Sequence, residues 1–232
     1  MLILGGYGLV GTAVCRELLR HRPTEIVLHS LHAEEAEAAR AGSLEEAGDT
    51  LLSTAHGNIL GLVNELAGLD EIWAHLRQLE DHRLPDFFLY KLLTDLRPDI
   101  VIHCVNTATA IAYTDVYSTA EELWRHLDRG ETNDEAAADL LSALYIPRLI
   151  RHIQVRYRGM EDAGTGVYLK VGTSGTGGMG LNVPYTHSEE KPSRVLLSKS
   201  AVAGAHSMLL FLMARTPGAP ITKEIKPAAA IA

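Results

Sequence analysis

The chain has 232 residues, is 47% hydrophobic and carries 29 acidic against 21 basic side chains, which gives a formal net charge of −8. This length suits one domain with a full core, and the acidic balance argues against a nucleic-acid partner, which would require a basic stripe. The two cysteines, Cys15 and Cys104, lie in apolar segments, which favours a reduced cytoplasmic interior over a disulfide.

Two apolar segments were considered as export or membrane signals. The N-terminal run is interrupted by glycines after four residues, and the first arginine after it is Arg16, so the basic start of a signal peptide is missing. The segment at 201–214, AVAGAHSMLLFLMA, is too short to span a bilayer. We therefore expect a soluble, cytoplasmic protein with no membrane partner.

Segments with strand character alternate with segments of helical periodicity along the chain. Strands are predicted at 2–6, 25–30, 50–55, 99–105, 166–172 and 220–226, and helices at 12–22, 34–47, 63–79, 134–157 and 195–215. This alternation is typical of an α/β fold with a doubly wound parallel sheet, the Rossmann fold. A single domain spanning 1–232 is expected.

Three glycines follow the first predicted strand in the segment GGYGLVG. Gly5, Gly8 and Gly11 fall where a strand must turn sharply into a helix, and glycine permits positive φ and close backbone approach there. The free N–H groups of the helix's first turn and the positive end of its dipole form a site for phosphate. A dinucleotide pyrophosphate fits this site, although a purely structural glycine turn has the same spacing.

A segment rich in Gly, Ser, Thr and Pro occupies 172–194, directly after the fifth predicted strand. In a parallel α/β sheet this position lies at the carboxyl edge, where ligands bind. A long loop there is a candidate substrate loop, and an ordinary connection is the alternative.

Four motifs, in order along the chain, resemble the extended short-chain dehydrogenase/reductase and nucleotide-sugar epimerase superfamily. They are GGYGLVG after the first strand, HGNI after the third, RPDIVIHCVNTATA at the fourth, and VGTSGTGGMG with PYTHSEEKP and LLSKSAVAGA later. The resemblance implies an NAD(P)-dependent oxidoreductase or epimerase that transfers hydride at a carbinol or carbonyl carbon of a small molecule. It also implies a homodimer formed by the helices around 134–157 and 195–215.

The resemblance assigns cofactor contacts to the ends of four strands. The glycines and the backbone N–H groups after them would surround the pyrophosphate, Asn58 and Ile59 would lie beside the adenine, and the end of the fourth strand would face the nicotinamide-side ribose. Asn106 could alternatively cap the next helix. The full cofactor set is Gly5, Tyr7, Gly8, Leu9, Val10, Gly11, His29, Ser30, Asn58, Ile59, Val105, Asn106, Thr107 and Lys199.

The end of the second strand, VLHSLH, bears on the choice of cofactor. Enzymes selective for NAD usually have Asp or Glu there to bind the ribose 2′-OH. His29 and Ser30 can form hydrogen bonds without repelling a 2′-phosphate, which favours NADP and leaves NAD possible. These histidines could also be plain surface residues, and no metal ligand is assigned.

The catalytic pattern of the family matches only in part. In Tyr-x-x-x-Lys the lysine charge favours the phenolate one helical turn away. Lys199 matches this lysine, but Val195 occupies the tyrosine position, and valine cannot transfer a proton. Ser174, in the segment GTSG, matches the serine that orients the substrate oxygen.

The missing tyrosine requires another proton donor if the chain is an enzyme. Tyr185, in the Gly-rich loop, is the first candidate, and His187 and Tyr117 are alternatives. A cofactor-binding sensor or an assembly protein that lacks the tyrosine is the alternative function. The motif KP at 226–227 matches the basic-Pro motif that follows the family's sixth strand. Family members normally continue from there into a substrate region, so we expect this C-terminal region to be short or missing here.

Overall fold

The computed structural model describes residues 1–62, 69–107, 111, 116–172 and 194–225. The strands of its sheet are β1 (Leu2–Leu4), β2 (Glu25–Ser30), β3 (Leu51–His56), β4 (Ile100–His103), β5 (Val167–Val171) and β6 (Ile221–Ile225). They lie in the order β3-β2-β1-β4-β5-β6, and each neighbouring pair is parallel. This is the doubly wound order, so the predicted fold class is confirmed.

Helices connect the strands and flank the sheet. They are α1 (Leu9–Leu19), α2 (Ala33–Ala41), α3 (Leu44–Ala47), α4 (Leu69–Leu76), α5 (Phe88–Leu96), α6 (Val116–Asp128), α7 (Asp134–Ala143), α8 (Tyr145–Ala163) and α9 (Arg194–Met213), with a 3₁₀ helix at Asp81–Asp86. Among the residues that the structure describes, no helix is long and apolar enough to cross a bilayer.

Alternating side chains of the strands form two cores, one on each face of the sheet. On β1, Ile3 packs into a cluster with Cys15 and Leu19 of α1. Leu2 and Leu4 point to the other face, into a cluster that includes residues of α5, α8 and α9. Successive side chains of a strand point to opposite faces, so both faces of the short apolar strand are buried.

The long helix predicted at 134–157 is two helices. The first ends at Ala143 and the second begins at Tyr145, with Leu144 between them at φ −69° and ψ 90°. Pro147 explains the break, because its ring would clash with the carbonyl of Ala143 in a continuous helix and it has no N–H to donate. Proline is tolerated in the first turn of α8, because a backbone N–H there would have no acceptor within the helix.

Two helices lie in segments where none was predicted. In α5, Leu89, Leu92 and Leu93 are buried at helical spacing against the core under the sheet. In α6 no side chain is fully buried, and the helix packs against α7. Helix α5 precedes β4 in the chain and α6 follows it, so both belong to the long connections on either side of that strand.

Candidate functional site

The turn between β1 and α1 brings the backbone back across the end of β2. Gly5 has φ +83°, a conformation that side chains rarely allow. The N–H groups of Gly5 and Gly6 both donate to the carbonyl of His29, at 2.9 and 2.7 Å. The turn is therefore fixed to the carboxyl end of the neighbouring strand.

The other two glycines of the motif differ in whether the surrounding backbone leaves room for a side chain. A Cβ at Gly11 would lie 2.0 Å from the carbonyl oxygen of Gly5, so the close packing of α1 on the turn excludes any side chain. A Cβ at Gly8 would meet only that same oxygen, at 3.6 Å, which is an ordinary contact. Gly8 also has φ −64°, which any residue adopts. No contact within the described part of the chain requires glycine at position 8.

The N-terminus of α1 has the open geometry of an anion site. Among the described residues no side chain caps it, and its first turn contains no acidic residue. The first turn begins with a bond from Thr12 N to the carbonyl oxygen of Gly8, at 2.9 Å. The preceding N–H groups of Leu9, Val10 and Gly11 have no acceptor within the helix. Leu9 is 94% exposed, so this end of the helix is not covered by the rest of the described chain.

Ser30 lies beside the glycine turn and supports it. Its Oγ accepts a hydrogen bond from the backbone N–H of Tyr7 at 3.2 Å, and the side chain is almost fully buried. Leu31 and His32, which follow, are exposed. The end of β2 and the residues after it therefore present the Ser30 hydroxyl and the His32 imidazole where NAD-selective sites usually have a carboxylate.

His29 is buried on the opposite face of β2. Its Nε2 lies 3.0 Å from the carbonyl oxygen of Gly57, and because a carbonyl only accepts, this nitrogen carries the proton. The ring packs against Phe88, with 5.9 Å between centroids. Burial lowers the pKa of His29 to about 4, so the ring is neutral at pH 7.

The buried neutral His29 makes stability depend on acidity. Its folded pKa of about 4 lies below the ordinary 6.5, so its contribution is complete above pH 6.5 and is lost as the pH falls from 6.5 to about 4. The loss is on the order of 3 kcal/mol, at about 1.4 kcal/mol per pKa unit. We expect urea unfolding of His29→Gln, which keeps a donor for Gly57, to depend less on pH in this window. Parallel curves for the variant and the wild type would contradict this assignment.

The loop after β3 presents the pair assigned to the adenine. Asn58 is exposed, and its Oδ1 accepts a hydrogen bond from the N–H of Leu60 at 3.0 Å. Ile59 is buried in the core beneath it. The Asn58 side-chain oxygen therefore stabilises the turn formed by Asn58 and the two residues after it.

The end of β4 lies directly beside the glycine turn. A Cβ at Gly5 would be 3.0 Å from Cγ2 of Val105, which shows how closely the two segments approach. Asn106 is exposed and Thr107 is buried, with its Oγ1 3.5 Å from Nε2 of His103. The structure thus brings residues predicted from four strands to one edge of the sheet.

The predicted catalytic residues are described only in part. Ser174, Tyr185 and His187 lie outside the described residues. Lys199 lies in α9, and its side chain, like that of Val195, is outside what the structure describes. Their predicted roles stay predictions. Tyr117 lies in α6 and is half exposed.

No protein-family model matches the sequence, and no curated protein is similar enough to match it. Pen from Bacillus thuringiensis is similar in structure, with 10% identity and a TM-score of 0.50 over 96% of this chain and 47% of that chain. The chain is a Rossmann-fold protein. This confirms the Rossmann fold that the resemblance to extended short-chain dehydrogenases/reductases implies.

Two other solved structures show weaker likeness to this Rossmann-fold chain. A dTDP-glucose 4,6-dehydratase, DesIV from Streptomyces venezuelae, is 15% identical, with a TM-score of 0.49 over 96% of this chain and 53% of that chain. A ketone-specific alcohol dehydrogenase from Comamonas testosteroni is 13% identical, with a TM-score of 0.48 over 98% and 72%. This chain spans about half the length of Pen and of DesIV.

A buried polar network between the sheet and helices α8 and α9 was not predicted. Arg156 of α8 is fully buried and donates to the Tyr168 hydroxyl at 2.5 Å, to Nε2 of His152, and to Nε2 of His206 at 3.4 Å. Because a guanidinium only donates, the Tyr168 hydroxyl donates its proton to Nδ1 of His103, 2.9 Å away. The buried cation is therefore held by neutral acceptors.

Lys170 extends this network to the carboxyl edge of the sheet. It follows Tyr168 on the same face of β5 and is 2% exposed. A lysine within the otherwise apolar segment GVYLKVG was the sequence signal that could have revealed it.

Among the described residues, no group of three or more His, Cys, Asp or Glu side chains is arranged to hold a metal ion.

Proposed function

We propose that this chain binds a nicotinamide dinucleotide at the glycine turn and acts as an NAD(P)-dependent oxidoreductase or epimerase at a carbinol or carbonyl carbon of a small molecule. The observation that carries the proposal is the free space at Gly8. The turn requires glycine at position 5 and helix packing requires it at position 11, whereas position 8 is open to an incoming group. This division of roles is that of a pyrophosphate-binding turn.

The open end of α1 supports the same proposal. The N–H groups of its first turn and the positive end of the helix dipole favour a diphosphate. The exposed side chains of Tyr7, Leu9 and Val10 surround this end and offer apolar contacts. When bound, a nicotinamide dinucleotide supplies a hydride donor or acceptor, and the chain's own groups hold and orient it.

We further propose that NADP is preferred over NAD. The Ser30 hydroxyl bonds to the glycine turn, and no carboxylate ends β2. Ser30→Asp is therefore expected to weaken NADPH binding by on the order of ten-fold or more and to spare NADH, because the new carboxylate repels the 2′-phosphate. Fluorescence titrations with both nucleotides measure the change. Thr54→Asp, at an exposed position of neighbouring β3 outside the proposed site, is the charge-matched control.

The measured affinities separate a wrong cofactor preference from a disturbed turn. A wild-type protein that binds NADH much more tightly than NADPH contradicts it directly. Equal weakening of both nucleotides in Ser30→Asp would show that the substitution disturbs the turn, since Ser30 also accepts from Tyr7 N.

The catalytic roles complete the proposal. Lys199 is proposed to hold the nicotinamide-side ribose with Val105, Asn106 and Thr107, and Ser174 to orient the substrate oxygen. The proton donor is proposed to be Tyr185. The roles of Lys199 and Ser174 come from the family resemblance, whereas Tyr185 is proposed from its place in the Gly-rich loop, because Val195 occupies the family's tyrosine position.

A cofactor-binding sensor or assembly protein is the second candidate function. Val195 favours it, because the residue at the family's tyrosine position cannot exchange a proton. Oxidation or reduction of bound nicotinamide by a small-molecule substrate separates the enzyme from the sensor. A cytoplasmic location is part of both proposals.

The homodimer is also proposed. Helix α9 exposes Met208, Phe211 and Leu212, and α8 exposes Ile146 and Ile150 in part. Exposed apolar side chains on these two helices are what a helical dimer contact would cover.

A further inference from the structure

We propose that Lys170 is a proton-binding group that sets the relative affinity of the cofactor site for reduced and oxidised nicotinamide dinucleotide. Charged Lys170 favours the reduced form, and neutral Lys170 removes that preference. This inference rests on the proposed function and adds to it a residue outside the family's catalytic pattern.

The hydrogen bonds of Lys170 join it to the end of β4. Its Nζ donates to the carbonyl oxygens of Val105 at 2.7 Å, Val171 at 2.8 Å and His103 at 3.3 Å. An ammonium group has three N–H donors, so all of them are used. Two of the three acceptors belong to the segment that leads into Asn106.

Lys170 also lines a cleft at the carboxyl edge of the sheet, between β4, β5, β6 and α9. We call this the edge cleft and define it by Asn106, Thr107, Lys170, Gly172, Ala203, His206 and Glu224. Asn106 and Thr107 are the residues proposed to face the nicotinamide-side ribose. The ammonium therefore shares one cleft with the proposed nicotinamide end of the site.

The surroundings of Lys170 favour loss of its proton near neutral pH. Burial, and then the charge of Arg156, lower its pKa to about 7, against smaller raising effects of Cys104 and Glu224. It makes no ion pair with any residue that the structure describes. Among the described side chains, the titratable and charged groups around it are Arg156 and His152 of α8, His103 of β4, Cys104 directly after β4, His206 of α9 and Glu224 of β6.

Two of the neighbouring histidines, His103 and His152, do not titrate in the same pH range as Lys170. The pKa values of His103 and His152 lie well below 6.5, chiefly because both rings are buried, with further lowering from Lys170 and Arg156. Both rings are neutral where Lys170 titrates. Of Lys170, His103 and His152, Lys170 is therefore the group whose charge changes as the pH passes about 7.

The redox state of the cofactor changes one charge. The oxidised nicotinamide ring is a cation and the reduced ring is neutral, whereas the phosphates are the same in both forms. The contribution of the phosphates to affinity therefore cancels in the ratio of the two dissociation constants, and the ratio reports the effect of the ring charge. Below pH 7 charged Lys170 repels the oxidised ring, and above pH 7 this repulsion disappears.

The test measures dissociation constants of NADP⁺ and NADPH between pH 6 and 8.5 by calorimetry and fluorescence. In the wild type the ratio of NADP⁺ to NADPH constants is expected to fall on the order of ten-fold as the pH rises. Lys170→Met should hold the ratio at its low value at every pH. Lys170→Arg, which stays charged, should hold it at the high value. Lys91→Met, at an exposed lysine of α5, is the control and should follow the wild type.

Each outcome decides the inference. A ratio independent of pH in the wild type, or a Lys170→Arg protein that follows the wild type, overturns the role of Lys170 and leaves the proposed function standing. Failure of the folded wild type to bind either nucleotide at any pH overturns both. If Lys170→Met does not fold, the pH profiles of the wild type and Lys170→Arg still decide the question.

Discussion

Gly8→Val is expected to fold normally and to bind NADPH at least about 100-fold more weakly than the wild type, a loss of roughly 2.8 kcal/mol. The fold is spared because the new Cβ would lie 3.6 Å from the Gly5 oxygen and the backbone, at φ −64° and ψ 160°, suits valine. Binding is lost because the valine methyl groups take the space that a pyrophosphate needs at the helix end. Fluorescence titration measures the affinity, and thermal unfolding followed by circular dichroism checks the fold.

Two controls make this result specific. Gly204→Val places the same side chain on exposed α9, where an added Cβ meets nothing within 4 Å, and should leave NADPH affinity unchanged. Gly8→Ala adds a smaller group and should weaken binding less than valine does. A folded Gly8→Val protein with wild-type affinity would remove the main support for the cofactor site.

Gly11→Ala is expected to have the largest effect on stability, a loss of about 3 kcal/mol or more in the free energy of unfolding. The new Cβ would lie 2.0 Å from the Gly5 oxygen, 2.8 Å from the Gly6 Cα and 2.9 Å from the Gly5 carbonyl carbon. These are all backbone atoms, so relief requires α1 to move away from the turn. The better helix propensity of alanine, worth about 1 kcal/mol, is too small to compensate.

Urea unfolding of Gly11→Ala and of a matched control, Gly204→Ala, measures this difference. Gly204 is also in a helix, but its added Cβ would meet nothing within 4 Å, so alanine there should be neutral or stabilise by up to about 1 kcal/mol. Equal stability of the two variants would show that α1 is not held against the turn as closely as the structure indicates.

The fold could be predicted from the sequence because its strands are short apolar runs bounded by turn residues. EIVLHS and the segment of β4 are buried on both faces, as parallel strands require. The exact ends were harder to predict: the first strand stops before Gly5, whose positive φ ends the extended backbone. Pro147 was visible in the sequence, yet helical periodicity on both sides of it concealed the break.

The cofactor site was predictable as a location and less so in its details. Parallel strands place their carboxyl ends at one edge, so Gly5, Ser30 and Val105 had to gather there. What each side chain does at that edge depends on strand register and helix packing. His29, for example, turns away from the glycine turn and bonds to Gly57. The network around Arg156 depends on helices from distant parts of the chain, which periodicity alone does not pair.

The central claim is that the glycine turn holds a nicotinamide dinucleotide. The most direct test is calorimetric titration of the folded wild type with NADPH, NADP⁺, NADH and NAD⁺, repeated with Gly8→Val. One nucleotide is expected to bind per chain, NADPH more tightly than NADH, and Gly8→Val is expected to lose that binding. A folded wild-type protein that binds none of the four nucleotides, or binds them equally well with valine at position 8, would contradict it.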